Sequence, residues 1–364
     1  MFSLNWKEIL SRKQHIDTLL SVVLFFLALI FLSQDDLFFE DLLIGVDDWN
    51  RYARQGLDIA DNGLLINCID GAYNGPGGFL YNYFIALHVF IFGQQIWTIQ
   101  LTQILMLCIS FVLIYRIFED QFFSWQKWLW GVGLAFLLTI DFLSTYTLKL
   151  FSENVGSFFF FLSMFLWFRS GFKISYLSTC IMAIAVLFRP NLITLVPIYF
   201  LLSNSRNLLK AWPFYFFNVL ILVTLWSLIP LRNYLVSGNF VLLPEEGLSD
   251  SFLQLSNFDW EYLLNKVLFC LGYLSRLMPD YRIRPHWIII WIGFLVYIYF
   301  TFKENRIDKY RPIIWTMMTF LITNIVFVTL GSYGYRSMIL LFPLVLPFGM
   351  MGAIKLFESI RNKY

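Results

Sequence analysis

Residues 45–59 read GVDDWNRYARQGLDI, and two adjacent carboxylates, Asp47 and Asp48, open the stretch. A carboxylate beside a reacting hydroxyl or amine acts as a general base. The same residue at a helix start accepts hydrogen bonds from free backbone N–H groups. The spacing allows both. Val46, Trp49, Ala53, Leu57 and Ala60 recur at steps of three and four, an apolar stripe that predicts an amphipathic helix lying on a membrane or on neighbouring spans. Asp47, Arg51, Arg54 and Asp58 share the other face, with Asp47–Arg51 and Arg54–Asp58 at the spacing of surface ion pairs.

Arginines are the second set of candidates. Arg189 stands in VLFRPNLITLVP, where two apolar segments too short to span alone meet at Arg189-Pro190. Their junction should lie below the outer surface, where an ionisable side chain is costly and marks function by default. The alternative is an arginine reaching back to the headgroups. Arg336 and Arg232, at ends of other apolar runs, carry the same two readings. Lys149 and Glu153 in YTLKLFSENVG are spaced to pair with each other. Arg282, Arg284 and His286 cluster at a span end, and Trp49, Tyr52, Tyr73 and Tyr81 could stack on a sugar; interfacial anchoring and aromatic belts are the simpler accounts of both groups.

The elements that must position these groups follow from composition. The chain has 364 residues, 59% hydrophobic and 14% charged, with a mean hydropathy of +0.68. Soluble domains carry about 25% charged residues, so an integral membrane protein is expected, as one domain over residues 1–364. Apolar segments fall at 16–33, 79–93, 96–118, 127–143, 153–169, 174–188, 191–203, 212–229, 285–302, 312–330 and 335–356. The first reads as a retained span rather than a cleaved signal. Lys7, Arg12 and Lys13 precede it, whereas residues 34–70 hold nine acids against two arginines, which puts the N-terminus inside and that segment outside. Every later basic cluster falls inside only if 79–93 lies along the membrane instead of crossing it. The expectation is therefore an all-α fold of about ten spans, both termini cytoplasmic, with long outer loops over 34–95 and 230–284. Function is expected on the elaborate outer face. Cys68 and Cys270 fall in those outer loops, where a disulfide is allowed; Cys108 and Cys180 fall in spans. His15, His88 and His286 have no metal-ligand spacing. No nucleic-acid partner is expected.

Five motifs in order resemble the GT-C glycosyltransferases, in the branch of protein O-mannosyltransferases and the aminoarabinose transferase of lipid A. They are the acidic pair before RYARQGLDI, YNGPGGFLYNYFIALHVFIFG, the Arg-Pro element VLFRPNLITLVP, LRNYLVSGNFVLL, and GYRSMILLFPLVLP. The resemblance implies a polyprenyl-phosphate-linked sugar donor and transfer on the outer face to a glycan, lipid or protein. It assigns Asp47 as the catalytic carboxylate, with Asp48 where relatives have Glu. It favours Arg336 as a donor-phosphate ligand, beside Arg189 and Arg232 as the other candidates; Arg51, Tyr52, Tyr73, Lys149 and Glu153 are the candidate substrate contacts. Relatives that bind a metal carry Glu-Lys before the Pro-containing segment; this chain has Asn74 and Gly75 before Pro76, which leaves a divalent metal open.

One carboxylate suffices for such chemistry. A phosphate with a second pKa of about 6 leaves without a proton, so the site needs a base for the acceptor and cations for the departing phosphate. Two other classes share the same features: a transporter of lipid-linked sugar or polysaccharide, and an outer-face polysaccharide polymerase. The former is expected to show internal repeats, which the sequence does not display. A bacterial inner membrane is the expected location.

Overall fold

A computed structural model describes residues 48–63, 79–119, 130–134, 152–203, 208–237, 264, 274–277, 280–283, 285–303, 310–329 and 342–361. The described chain is helical apart from one short antiparallel hairpin, β1 (Leu274–Leu277) with β2 (Asp280–Ile283), in which Leu274 pairs with Ile283. The rest of the described chain is helical, in keeping with the all-α expectation. The hairpin falls at the end of the expected second outer loop, where backbone groups without a helix to satisfy them pair across strands.

The helices, in chain order, are α1 (Asp48–Asn62), α2 (Phe79–Phe92), α3 (Ile96–Phe118), α4 (Ser152–Arg169), α5 (Tyr176–Phe188), α6 (Val196–Leu201), α7 (Leu208–Trp226), α8 (Leu228–Ser237), α9 (Pro285–Lys303), α10 (Arg311–Thr329) and α11 (Phe342–Arg361). A 3₁₀ turn, Pro190–Leu195, joins α5 to α6. Ile96–Phe118, Trp212–Leu235 and Pro343–Arg361 are long and apolar enough to cross a membrane; Leu80–Phe92, Tyr176–Phe188, Leu192–Leu201 and Ile288–Lys303 are shorter apolar helices. The protein is an integral membrane protein. The expected segment 16–33 lies outside the described residues, as does most of 127–143.

Two boundaries differ from the sequence expectation. The chain was expected to leave the membrane at about residue 230, yet the helix continues to Ser237. Pro230 falls in the first turn of α8, where a missing N–H costs nothing. Ser227 bridges the junction, donating its backbone N–H to Val223 O and accepting from Leu231 N at 3.0 Å. At the other end, α11 runs on to Arg361, past the apolar segment expected to stop at 356, because Lys355, Glu358 and Arg361 continue a helix as readily as apolar residues do.

The main core lies among α3, α4, α5, α9, α10 and α11, around Phe111, Phe118, Trp167, Phe294 and Phe348. Lipid offers little hydrophobic drive between helices, so close packing and internal hydrogen bonds hold them. At Gly352 of α11 an added Cβ would sit only 1.8 Å from Gly293 O of α9, so the two backbones touch directly. Thr179 of α5 donates to Asn218 of α7 at 2.6 Å, and Tyr310 donates to Ile117 O at 3.2 Å. A second cluster joins α1 and α2 to one end of α3, α4 and α5: Tyr52, Leu57, Ile85, Ile99, Val155 and Phe188 meet there.

Candidate active site

The second cluster positions the candidate chemistry. α5 begins on a capping box in which Ser175 and Ser178 satisfy each other's backbone N–H groups. It ends at Phe188, because Pro190 restricts the residue before it to extended backbone. Arg189 accordingly has φ −140° and ψ 91°. The Phe188 ring stacks on Phe159 of α4 at 5.3 Å and meets Phe84 of α2 edge-on at 6.2 Å. This fixes the end of α5 between two helices. The arginine does not reach back to the headgroups: it is 8% exposed.

Its partner is Glu153, in the first turn of α4. Arg189 Nη2 lies 2.9 Å from Glu153 Oε1, and Glu153 is 1% exposed. Lys149, the partner suggested by spacing, lies outside the described residues. Gly156, one turn on, explains how the arginine comes so close. A Cβ there would stand 2.9 Å from the Arg189 Cβ, so the arginine stem packs against bare helix backbone. The pair is in contact, but its hydrogen-bonding capacity is not used up. Neither carboxylate oxygen of Glu153 nor Arg189 Nε has an aligned hydrogen-bond partner, although buried polar atoms are nearly always paired.

A polar seam runs beside this pair. Gln103 of α3 donates to the Tyr81 hydroxyl at 2.6 Å, and Tyr81 meets Tyr52 of α1 edge-on at 5.3 Å. Burial pushes the Tyr81 phenol well above its ordinary pKa; the Gln103 hydrogen bond works against this, and the Glu153 carboxylate adds to it. Asn82 donates to Gln55 at 2.6 Å, tying α2 to α1. The seam was not anticipated, although a glutamine inside the apolar run IWTIQLTQILML is the signal that could have found it, since a polar side chain in a span seeks a partner.

The expected amphipathic helix is α1. Ala53 and Leu57 are buried, while Arg51, Arg54 and Asp58 are only partly so. Arg51 sits over the Tyr52 ring at 5.8 Å. Asp48 begins the helix. Asp47, Tyr73 and Arg336 lie outside the described residues, as do Cys68 and Cys270. Arg232 is buried on α8 and contacts Asn233 at 3.4 Å. One turn earlier, Ile229 packs with Leu187 of α5 and with Leu80 and Tyr83 of α2, which brings the start of α8 to the same end of the molecule as Arg189. Among the described residues no three His, Cys, Asp or Glu side chains come together in a way that could hold a metal.

Beyond Arg189 the broken helix opens an apolar groove. A cavity of about 340 Å³ is lined by Ala183 and Val186 of α5, Ile193 of the 3₁₀ turn, Pro197 and Phe200 of α6, and Val223 and Trp226 of α7, among others. Two of the lining residues, Val186 and Ile193, flank Arg189 in sequence, three residues before it and four after it.

No curated protein and no solved structure matches the chain. Residues 76–229, under half of its length, match the model of the dolichyl-phosphate-mannose-protein mannosyltransferase family. The match takes in Glu153, Arg189 and the groove, and leaves Asp47, Asp48, Arg232 and Arg336 outside. That family is one of GT-C glycosyltransferases, and the match supports the likeness of this chain to them.

Proposed function

We propose that the protein is a polyprenyl-phosphate-sugar-dependent glycosyltransferase, inverting, with its site on the outer face of the membrane. Asp47 takes the proton from an acceptor hydroxyl or amine. The acceptor atom attacks the anomeric carbon from the face opposite the phosphate, and the C–O bond to phosphate breaks with its electron pair on the phosphate oxygen. Asp48, its neighbour in sequence, is the alternative candidate for this base. Arg189 takes up the charge that develops on the phosphate, the largest single effect in such sites. Arg232 and Arg336 complete that cation set, while Arg51, Tyr52, Tyr73, Lys149 and Glu153 bound the sugar and acceptor. The isoprenoid tail lies in the apolar groove.

The observation that carries the proposal is Arg189: a buried arginine with an unpartnered Nε at a helix break, inside the family-matched segment and flanked in sequence by residues that line an apolar groove. A buried arginine is expensive to keep in a membrane protein, and its ion pair with Glu153 leaves Nε without an acceptor. The test is purified protein incubated with a panel of polyprenyl-phosphate sugars and a nucleophilic acceptor, scoring free polyprenyl phosphate. At least one donor should release it, and Asp47→Asn should abolish release while the protein still folds. Full release by Asp47→Asn overturns the assignment of the base; export of intact lipid-linked sugar without release overturns the reaction class.

A further inference from the structure

Arg189 Nε and both carboxylate oxygens of Glu153 lack a hydrogen-bond partner. Arg189 Nε is a buried donor without an acceptor, and Glu153 Oε2 is a buried acceptor without a donor. The two side chains touch through Nη2 and Oε1, at 2.9 Å. Burying polar atoms unpaired is costly, so the arrangement fits a ligand that brings an acceptor and a donor on adjacent atoms. A phosphate alone supplies the first only. A hydroxyl alone supplies too little charge to favour a guanidinium. A glycosyl phosphate supplies both, since its phosphate oxygens accept and the hydroxyl on the carbon next to the anomeric centre donates from a few bonds away.

On this basis, and resting on the function proposed above, we infer that Glu153 is a specificity-determining residue: its carboxylate accepts a hydrogen bond from the donor sugar's 2-hydroxyl while Arg189, in contact with it, holds the phosphate. Two features fix the geometry. Gly156 lets the base of the arginine side chain lie against α4, 2.9 Å from the position of an added Cβ, which brings Nη2 within 2.9 Å of Glu153 Oε1. Glu153 is in the first turn of α4, so its backbone is tied to the helix and its reach is short. Hydrogen bonds to the 2-hydroxyl strengthen as positive charge develops on the sugar ring, so the same contact acts in turnover as well as in binding.

The experiment uses the full-length protein in lipid nanodiscs and reads binding, apart from activity. Four probes are compared: bare polyprenyl phosphate, its mannosyl and glucosyl derivatives, and the 2-deoxyhexosyl derivative, which is the common 2-deoxy counterpart of both sugars. The wild type should bind one 2-hydroxy hexose about tenfold more tightly than the 2-deoxy probe or better, the size of effect expected when a buried acceptor is left empty. Glu153→Gln should compress that ratio to less than about threefold with bare polyprenyl phosphate still bound, and Glu153→Asp should restore part of it. A purely structural role for Glu153 would weaken all four probes alike and leave the ratio unchanged, which overturns the inference. Equal binding of the 2-hydroxy and 2-deoxy probes by the wild type overturns it without any variant having to fold. If the wild type fails to bind even bare polyprenyl phosphate, the donor class itself is wrong and the inference falls with it.

Discussion

Replacing Gly156 with alanine asks whether Arg189 is held by packing. The added Cβ would stand 2.9 Å from the Arg189 Cβ and 3.7 Å from that of Phe188. Carbon atoms rest at about 3.5–4.0 Å, so α4 and the end of α5 must part by roughly 0.5–1 Å. The obstructing atom is attached to the backbone and cannot rotate away. Overpacking of this kind costs about 1–3 kcal/mol, against about 1 kcal/mol gained when alanine replaces a helical glycine. The net loss of stability is therefore up to about 2 kcal/mol. Gly133→Ala is the matched control: its Cβ would meet Leu346 Cδ2 at 3.8 Å, an ordinary contact, so only the propensity gain applies. Unfolding of the detergent-purified proteins, followed by tryptophan fluorescence, measures the difference. Activity should separate them further, because displacing a phosphate ligand by about 1 Å costs on the order of a hundredfold in rate. Release of polyprenyl phosphate should fall by about ten- to a hundredfold in Gly156→Ala and stay near wild type in Gly133→Ala. Equal stability and equal rates for the two variants would refute the argument that close approach at Gly156 positions the arginine.

Two further outcomes follow from the same region. Arg189→Ala leaves the Glu153 carboxylate buried and uncompensated, so it should destabilise by about 3–5 kcal/mol; the Arg189→Ala/Glu153→Ala double variant should recover a measurable part of that loss in a double-mutant cycle. Tyr81→Phe removes the acceptor of the Gln103 amide and should cost about 1–3 kcal/mol in unfolding measurements, with the edge-on contact to Tyr52 kept.

Much of this end of the molecule was legible because breakers and helical periodicity act locally. Pro190 announced the interruption at Arg189, and the three- and four-residue steps of α1 gave part of its buried face, Ala53 and Leu57. What sequence spacing could not supply was the partner of Glu153. The nearby Lys149 fits the helical repeat, whereas Arg189 comes from another helix and is brought in by Gly156, Phe159 and Phe188. Short-range rules have no access to that contact. The seam of Gln55, Asn82, Tyr81 and Gln103 was visible only as polar letters in apolar text, with nothing to say which pairs with which.

The union of α1 with α2 has a consequence for protein engineering. The family-matched segment begins at residue 76, yet α1 lies before it and is locked to it. Gly56 allows α1 to press so close that a Cβ would come within 2.4 Å of Ile85 Cγ2, the Gln55–Asn82 hydrogen bond crosses the same contact, and Tyr52 abuts Tyr81. The matched segment is therefore not a portable module. A chimera joined at residue 76 would set a foreign helix against a surface shaped for glycine. Exchange between relatives should succeed only where residues 48–62 travel with α2.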